Sequence, residues 1–254
     1  MKWRRLKTFS PFIRSFTHAA CPTYCEGRVY FSPRDWRNRS HIYSAALDGL
    51  RLTDFREEVV PGNPGEFDDA GCMVSYVTPR DIYYVGWNLS VSVPFRNSIG
   101  LSRNGEKLIG PILDRNRYDA VGVGACWNGL EYYTSLLGWE NGRPRYHIVH
   151  GKPHMPAITF KNLETEWAIA RPCVIGDEMW YCYRGEEYRI GYATRKDGVW
   201  TRRDEEAGIE PSGEGFDKQA VCYPCVFDKD GARYMLFNGD GYGRTGFGLA
   251  IFEG

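Results

Sequence analysis

A pattern of three short β-prone runs recurs about every fifty residues along this chain, and a repeat of that length limits the fold more than any other feature. In the first copy the runs are Ala19-Ala20-Cys21-Pro22, Arg28-Val29-Tyr30-Phe31 and His41-Ile42-Tyr43-Ser44-Ala45. In the second they are Ala70-Gly71-Cys72-Met73-Val74, Ile82-Tyr83-Tyr84-Val85-Gly86-Trp87 and Ser98-Ile99-Gly100-Leu101. The third is weaker, with Val121-Gly122-Val123-Gly124, Leu130-Glu131-Tyr132-Tyr133 and Arg145-Tyr146-His147-Ile148-Val149. The fourth and fifth open with Ala170-Arg171-Pro172-Cys173-Val174-Ile175 and Cys222-Tyr223-Pro224-Cys225-Val226-Phe227. Five such copies predict an all-β chain folded as a five-bladed β-propeller, one domain over residues 1–254, with inner strands at 70–75, 121–126, 170–175 and 221–227. The lead-in before the first copy is expected to supply a strand that closes the ring.

Helical periodicity is scarce, whereas Asp48-Gly49, Asn104-Gly105, Asn141-Gly142, Asp197-Gly198 and Asp230-Gly231 punctuate the chain as hairpin turns. Aromatic residues make up 15% of the chain, enough both to fill wedges between sheets and to stack on sugars. The formal net charge is zero, so no global field draws in nucleic acid or a membrane surface. The basic start, Met1-Lys2-Trp3-Arg4-Arg5, has no apolar region behind it long enough for a secretory signal, and no run approaches the ~20 apolar residues of a membrane span. The eight cysteines lie mostly in apolar runs, where a thiol acts as a small hydrophobe, and the chain reads as cytoplasmic with reduced thiols. Cys222 and Cys225, with Cys21 and Cys25, suggest zinc spacing, but residues three apart on a strand face opposite sides. No metal site and no cofactor are expected.

In a propeller the first strand of each blade lines the axis, and the residues before it gather at one mouth. These residues are Phe16-Thr17-His18, Phe67-Asp68-Asp69, Tyr118-Asp119, Glu164-Thr165-Glu166-Trp167 and Phe216-Asp217-Lys218-Gln219. Recurrent carboxylates at a mouth suit glycosidic cleavage, in which one acid protonates the leaving oxygen and another group activates water or attacks the anomeric carbon. Asp68, Asp69, Glu166 and Asp217 are therefore the candidate catalytic residues, with Asp119 a weaker one; a loop turn or an exposed position is the alternative for each. His18 is a candidate for a substrate hydroxyl, and Arg171 for an anionic group on either the protein or the substrate. Arg184 lies at the end of an aromatic run, and Trp87, Trp139, Tyr183 and Tyr242 are candidates for stacking on a sugar face.

The stretches Gly86-Trp87-Asn88, Val93-Pro94-Phe95-Arg96-Asn97, Ala170-Arg171-Pro172, Tyr183-Arg184-Gly185, Tyr188-Arg189-Ile190-Gly191-Tyr192-Ala193 and Phe237-Asn238-Gly239-Asp240-Gly241-Tyr242 carry a resemblance. The chain resembles the five-bladed propeller glycosidase-like proteins related to arabinanases, xylosidases and mannoside phosphorylases, and in particular a branch associated with glycan biosynthesis. The resemblance spans nearly the whole chain and adds Gln219, Tyr223 and Asn238 to the expected ligand contacts. One departure stands out: the family pattern Trp-Asp-Ser-Glu-Met is replaced here by Phe216-Asp217-Lys218-Gln219-Ala220. Glutamine keeps the shape of glutamate but exchanges no proton near neutral pH.

The expected function is therefore that of a carbohydrate-active protein, cleaving or transferring a glycosidic or glycosyl-phosphate bond at a carboxylate-lined mouth. The alternative that Gln219 favours is a non-catalytic glycan- or nucleotide-sugar-binding propeller in a biosynthetic pathway. A scaffold using the propeller faces for protein contacts is a third reading.

Overall fold

The structure is a computed structural model that describes residues 1–10, 13, 15–109, 132–151 and 155–254. Among the described residues there is no α-helix, and the regular structure is nineteen strands and two short 3-10 turns. The strands are β1 (Trp3–Phe9), β2 (Thr17–Cys25), β3 (Arg28–Arg34), β4 (Ile42–Asp48), β5 (Arg51–Val59), β6 (Gly71–Val77), β7 (Ile82–Leu89), β8 (Phe95–Arg103) and β9 (Glu106–Ile109). They continue as β10 (Tyr132–Glu140), β11 (Arg143–His150), β12 (Met155–Ile158), β13 (Ala168–Ile175), β14 (Glu178–Arg184), β15 (Tyr188–Lys196), β16 (Val199–Arg202), β17 (Cys222–Lys229), β18 (Ala232–Asn238) and β19 (Phe247–Phe252). Among the described residues no helix is long and apolar enough to cross a membrane.

Two antiparallel sheets run β2-β3-β4-β5 and β6-β7-β8-β9. A third, β1-β19-β18-β17, pairs the N-terminal strand with the C-terminal one, as expected of the lead-in. The remaining strands form a seven-stranded sheet. Within it β10 to β12 and β13 to β16 are two antiparallel groups joined through a single parallel pair, Tyr146 with Ala168. The expected inner strands at 70–75, 170–175 and 221–227 correspond to β6, β13 and β17; the one at 121–126 lies outside the described residues.

The edge strands β1, β5 and β16 are among the least buried. β2 and β13 each hold a run of five consecutive buried residues, because neighbouring sheets cover both faces, whereas β5 is exposed along most of its length. Apolar side chains join each group to the next. Ile42 and Val74 pack between the first two sheets, and Ile99 with Tyr133 and Val149 between β6–β9 and β10–β12. Ile148, Ile169 and Tyr181 link β10–β12 to β13–β16, and Trp180, Val226 and Phe237 link these to β17–β19. Phe31, Leu236 and Phe247 return the packing to the first sheet.

Aromatic residues on the second strands cover glycines on the third. Tyr84 pairs with Gly100, Tyr181 with Gly191 and Phe237 with Gly248. A Cβ on Gly191 would stand 2.5 Å from the Tyr181 ring and 2.7 Å from an Asp204 oxygen. The glycine is thus a space requirement: the ring lies flat over the neighbouring strand and fills the wedge. Gly191→Ala should destabilise the fold by ~1–3 kcal/mol, the usual cost of overpacking, read as a lower midpoint in chemical unfolding.

Candidate functional site

The central cavity is built by a device on the inner strands. Between Ala20 and Thr23, between Ala170 and Cys173, and between Cys222 and Cys225, two residues oppose one on the partner strand. The inserted pairs are Cys21-Pro22, Arg171-Pro172 and Tyr223-Pro224. Proline suits the second place because it brings no N–H that would need a ladder partner. The residue before each proline lies in the left-handed region, at φ 58° for Cys21, 58° for Arg171 and 54° for Tyr223. Such backbone is strained for residues with side chains and concentrates at functional positions. All three side chains line one cavity of about 910 Å³, and Met73 of β6 joins them.

The N–H groups of these bulged residues are taken up by neighbouring strands. Cys21 donates to Asn238 Oδ1 at 2.8 Å, Arg171 to Thr134 Oγ1 at 3.2 Å and Tyr223 to the Cys182 thiol. Val74 of β6 donates likewise to Ser32 Oγ at 2.9 Å. Each acceptor is buried.

The charge around the cavity is one-sided. Among the described residues Arg34, Arg143, Arg171 and Arg184 line it against a single carboxylate, Glu186, leaving three net positive charges. None of the four arginines has a carboxylate ion-pair partner among the described residues. They lie over aromatic rings instead: Arg34 over Trp87 at 5.9 Å, Arg143 over Trp167 at 5.0 Å, Arg171 over Tyr223 at 5.9 Å and Arg184 over Tyr188 at 5.3 Å. Arg171 is only 8% exposed, and its Nη1 donates to the Val74 carbonyl at 2.8 Å on another sheet. Burial lowers the Arg34 pKa, while the same effect raises the Cys21 thiol and the Tyr146, Tyr188 and Tyr223 hydroxyls, so these four groups stay neutral.

Of the residues expected from sequence, Trp87, Arg171, Arg184 and Tyr223 come together in this cavity, with Tyr242. Gln219 is on the rim of an adjoining recess of about 170 Å³ that shares Arg184, Tyr188 and Tyr242 with it. The candidate carboxylates lie elsewhere. Asp68 is 1% exposed and takes Lys107 Nζ at 2.7 Å and the Tyr84 hydroxyl at 3.0 Å. Asp69 accepts the Gly65 N–H at 2.8 Å within a turn. Asp217 is paired with Arg5 and with Ser212 Oγ, the latter at 2.8 Å. Glu166 receives both arms of Arg202, at 2.8 and 2.9 Å, and Arg202 also binds Asp204. Tyr183 stacks under that same Arg202 at 5.3 Å. Asn238 is fully buried and donates to the carbonyls of Ala19 and Gly246, a seam between sheets. His18 is half-buried at φ 62° with Thr17 Oγ1 on its Nδ1. Trp139 packs with Phe95, and Asp119 lies outside the described residues.

Arg34, Arg143, Tyr146 and Glu186 were not singled out from the sequence, because they stand on hairpin ends and second strands and not before an inner strand; Trp167 was named only as part of the segment before β13. The recurrent x-Pro in three inner strands was the available signal for the cavity floor. The stretches that carry the family resemblance supply much of the lining, including Trp87, Phe95, Asn97, Arg171, Arg184, Tyr188 and Tyr242.

Over an alignment of 298 positions covering all of both chains, this chain is 36% identical to the uncharacterized protein Rv1502 of Mycobacterium tuberculosis strain H37Rv. It is equally similar to the uncharacterized protein MT1551 of strain CDC 1551. The chain belongs to the family of these two mycobacterial proteins. No protein-family model matches it. Among solved structures it is similar to a glycoside hydrolase (14% identity, TM-score 0.64, 97% of this chain and 90% of that one). It is also similar to a β-1,2-mannobiose phosphorylase from Listeria innocua (14%, 0.62, 100% and 97%) and to a β-xylosidase (11%, 0.52, 93% and 92%). The fold of this family is thus that of the glycoside-hydrolase-like propeller enzymes.

Two measurements probe this placement. Burial, helped by Arg34 and Arg244, lowers the His18 pKa from 6.5 to about 4. The unfolded chain therefore takes up a proton first, and His18 withdraws stability as pH falls from 6.5 through about 4. An NMR titration should place the imidazole near 4, and His18→Gln should flatten that part of the stability–pH curve. For Glu166, the buried pairing with Arg202 predicts a structural cost. Glu166→Gln should lower unfolding stability by roughly 1.5–3 kcal/mol, the range for hydrogen bonds to a charged group, because Asp204 still neutralises Arg202.

Proposed function

We propose that the protein is carbohydrate-active and that its ligand is an anionic sugar bound in the central cavity. The observation that carries this reading is Arg171: a buried guanidinium, held on a strained backbone, facing a cavity in which no carboxylate among the described residues pairs with it. An unpaired buried charge is costly, and an anionic ligand offsets that cost. Trp87, Tyr188, Tyr223 and Tyr242 supply the flat faces on which sugar rings stack. The sheet-to-sheet packing that returns on itself supports five blades in one domain.

The chemistry suited to this lining is transfer between a sugar and phosphate. Hydrolysis by two protein carboxylates requires them to face each other across ~5–9 Å, and only Glu186 lines the cavity among the described residues. In phosphorolysis the phosphate oxygen attacks the anomeric carbon, the bond to the leaving oxygen breaks, and one protein acid protonates that oxygen. Glu186 is placed for the acid, with arginines for the phosphate. The fold likeness to a mannobiose phosphorylase supports this chemistry. The single exposed carboxylate also favours a second reading, a non-catalytic binder of activated or acidic sugars.

The test is a panel of glycosides with inorganic phosphate, and of glycosyl phosphates with acceptor sugars, assayed for turnover and for binding. Turnover should occur in the natural chain and fall ~10²–10⁴-fold in Glu186→Gln with affinity nearly kept. Arg171→Gln should lose binding. Tight binding without turnover, unchanged in Glu186→Gln, would establish the binder instead. Binding of neutral sugars alone, indifferent to Arg171, would overturn the anionic reading.

A further inference from the structure

Three of the four arginines of the cavity form two separate groups, and the fourth, Arg143, lies over Trp167 at 5.0 Å. Arg34 and Arg171 share the floor: both line it with Cys21 and Tyr223, and Arg171 lies over the Tyr223 ring at 5.9 Å. Arg184 stands on the wall, over Tyr188 at 5.3 Å and Tyr242 at 5.7 Å. Between the two lies a ladder of rings. Tyr223 and Tyr188 have centroids 5.8 Å apart, and Tyr188 and Tyr242 are again 5.8 Å apart.

We infer that the cavity takes a carbohydrate with two separate anionic groups, one on the floor between Arg34 and Arg171 and one on the wall at Arg184, with the sugar lying along the tyrosines. This deepens the reading of the site as an anionic-sugar site and rests on it. Three net positive charges exceed what one carboxylate neutralises, and a monoanion seated at either group leaves the other bare. The floor suits an anion: Arg171 is more than nine-tenths buried, and its side-chain acceptor among the described residues is a neutral carbonyl. A guanidinium carries five N–H donors, so most of those on Arg171 remain for a ligand. Arg184 also borders the recess at Gln219, so the wall group sits where the two spaces meet.

The experiment uses the full chain at low ionic strength. Inorganic phosphate is titrated and followed by phosphorus NMR and calorimetry, and glucose, glucose 1-phosphate and glucose 1,6-bisphosphate are compared. Two phosphates should bind per chain, one in Arg171→Gln and one in Arg184→Gln. The bisphosphate should bind at least tenfold tighter than the monophosphate, an advantage that either variant removes. Arg171→Lys keeps the charge and serves as a second floor variant, expected to retain the second phosphate if Arg171→Gln misfolds. A single phosphate lost from both variants, or equal affinity for mono- and bisphosphate, would overturn the two-group inference and leave the anionic-sugar reading standing. Two phosphates with no sugar phosphate bound above glucose would uphold the two groups and remove the carbohydrate reading.

Discussion

One repeated hydrogen bond holds the sheets in the positions the cavity needs. On β3, β10, β14 and β18 a small buried side chain, Ser32, Thr134, Cys182 or Asn238, accepts an N–H from the first strand of the next sheet. In three of the four cases that N–H belongs to the residue before a proline. The bulge frees the group from its own ladder, and burial makes an unpaired N–H costly. The seam therefore fixes both the angle between sheets and the backbone that aims Cys21, Arg171 and Tyr223 at the axis. Packing of Tyr181 over Gly191 and Phe237 over Gly248 supplies the bulk; the seam supplies the register.

That arrangement divides polar groups into two populations. Asp68, Glu166 and Asp217 are satisfied: each is buried with a cation and hydrogen-bond donors, and each anchors a loop to its sheet. Asp204 belongs with them; burial pushes its pKa up, but hydrogen bonds from Tyr181, Lys161 and Arg202 outweigh that and hold it below the usual carboxylate range. The cavity arginines are the reverse, with aromatic faces for neighbours and, among the described residues, no carboxylate to pair with. A chain of zero formal net charge thus gathers four of its arginines around one cavity.

The repeat of about fifty residues, the scarcity of helical periodicity and the glycine-containing turns were enough to specify β-sheets, their order and most inner strands, because strand formation depends on local alternation and turn chemistry. Arg171 was legible as well, from its place beside Pro172 at the start of a first strand, and Tyr223 from the family resemblance. The partners of the carboxylates were not legible. Asp217 meets Arg5 from the far end of the chain, and Asp68, before β6, meets Lys107 on β9. An aromatic-Asp pair before an inner strand looks the same in sequence whether it faces a ligand or anchors a loop. By itself, then, the sequence determined the β architecture and singled out Arg171 beside Pro172; the strain at Cys21, Arg171 and Tyr223 came only with the folded backbone. Only the tertiary structure decided that the cavity is lined, among the described residues, by four arginines and one carboxylate, because charge pairing depends on which side chains folding brings within a few ångströms, and those residues are far apart along the chain.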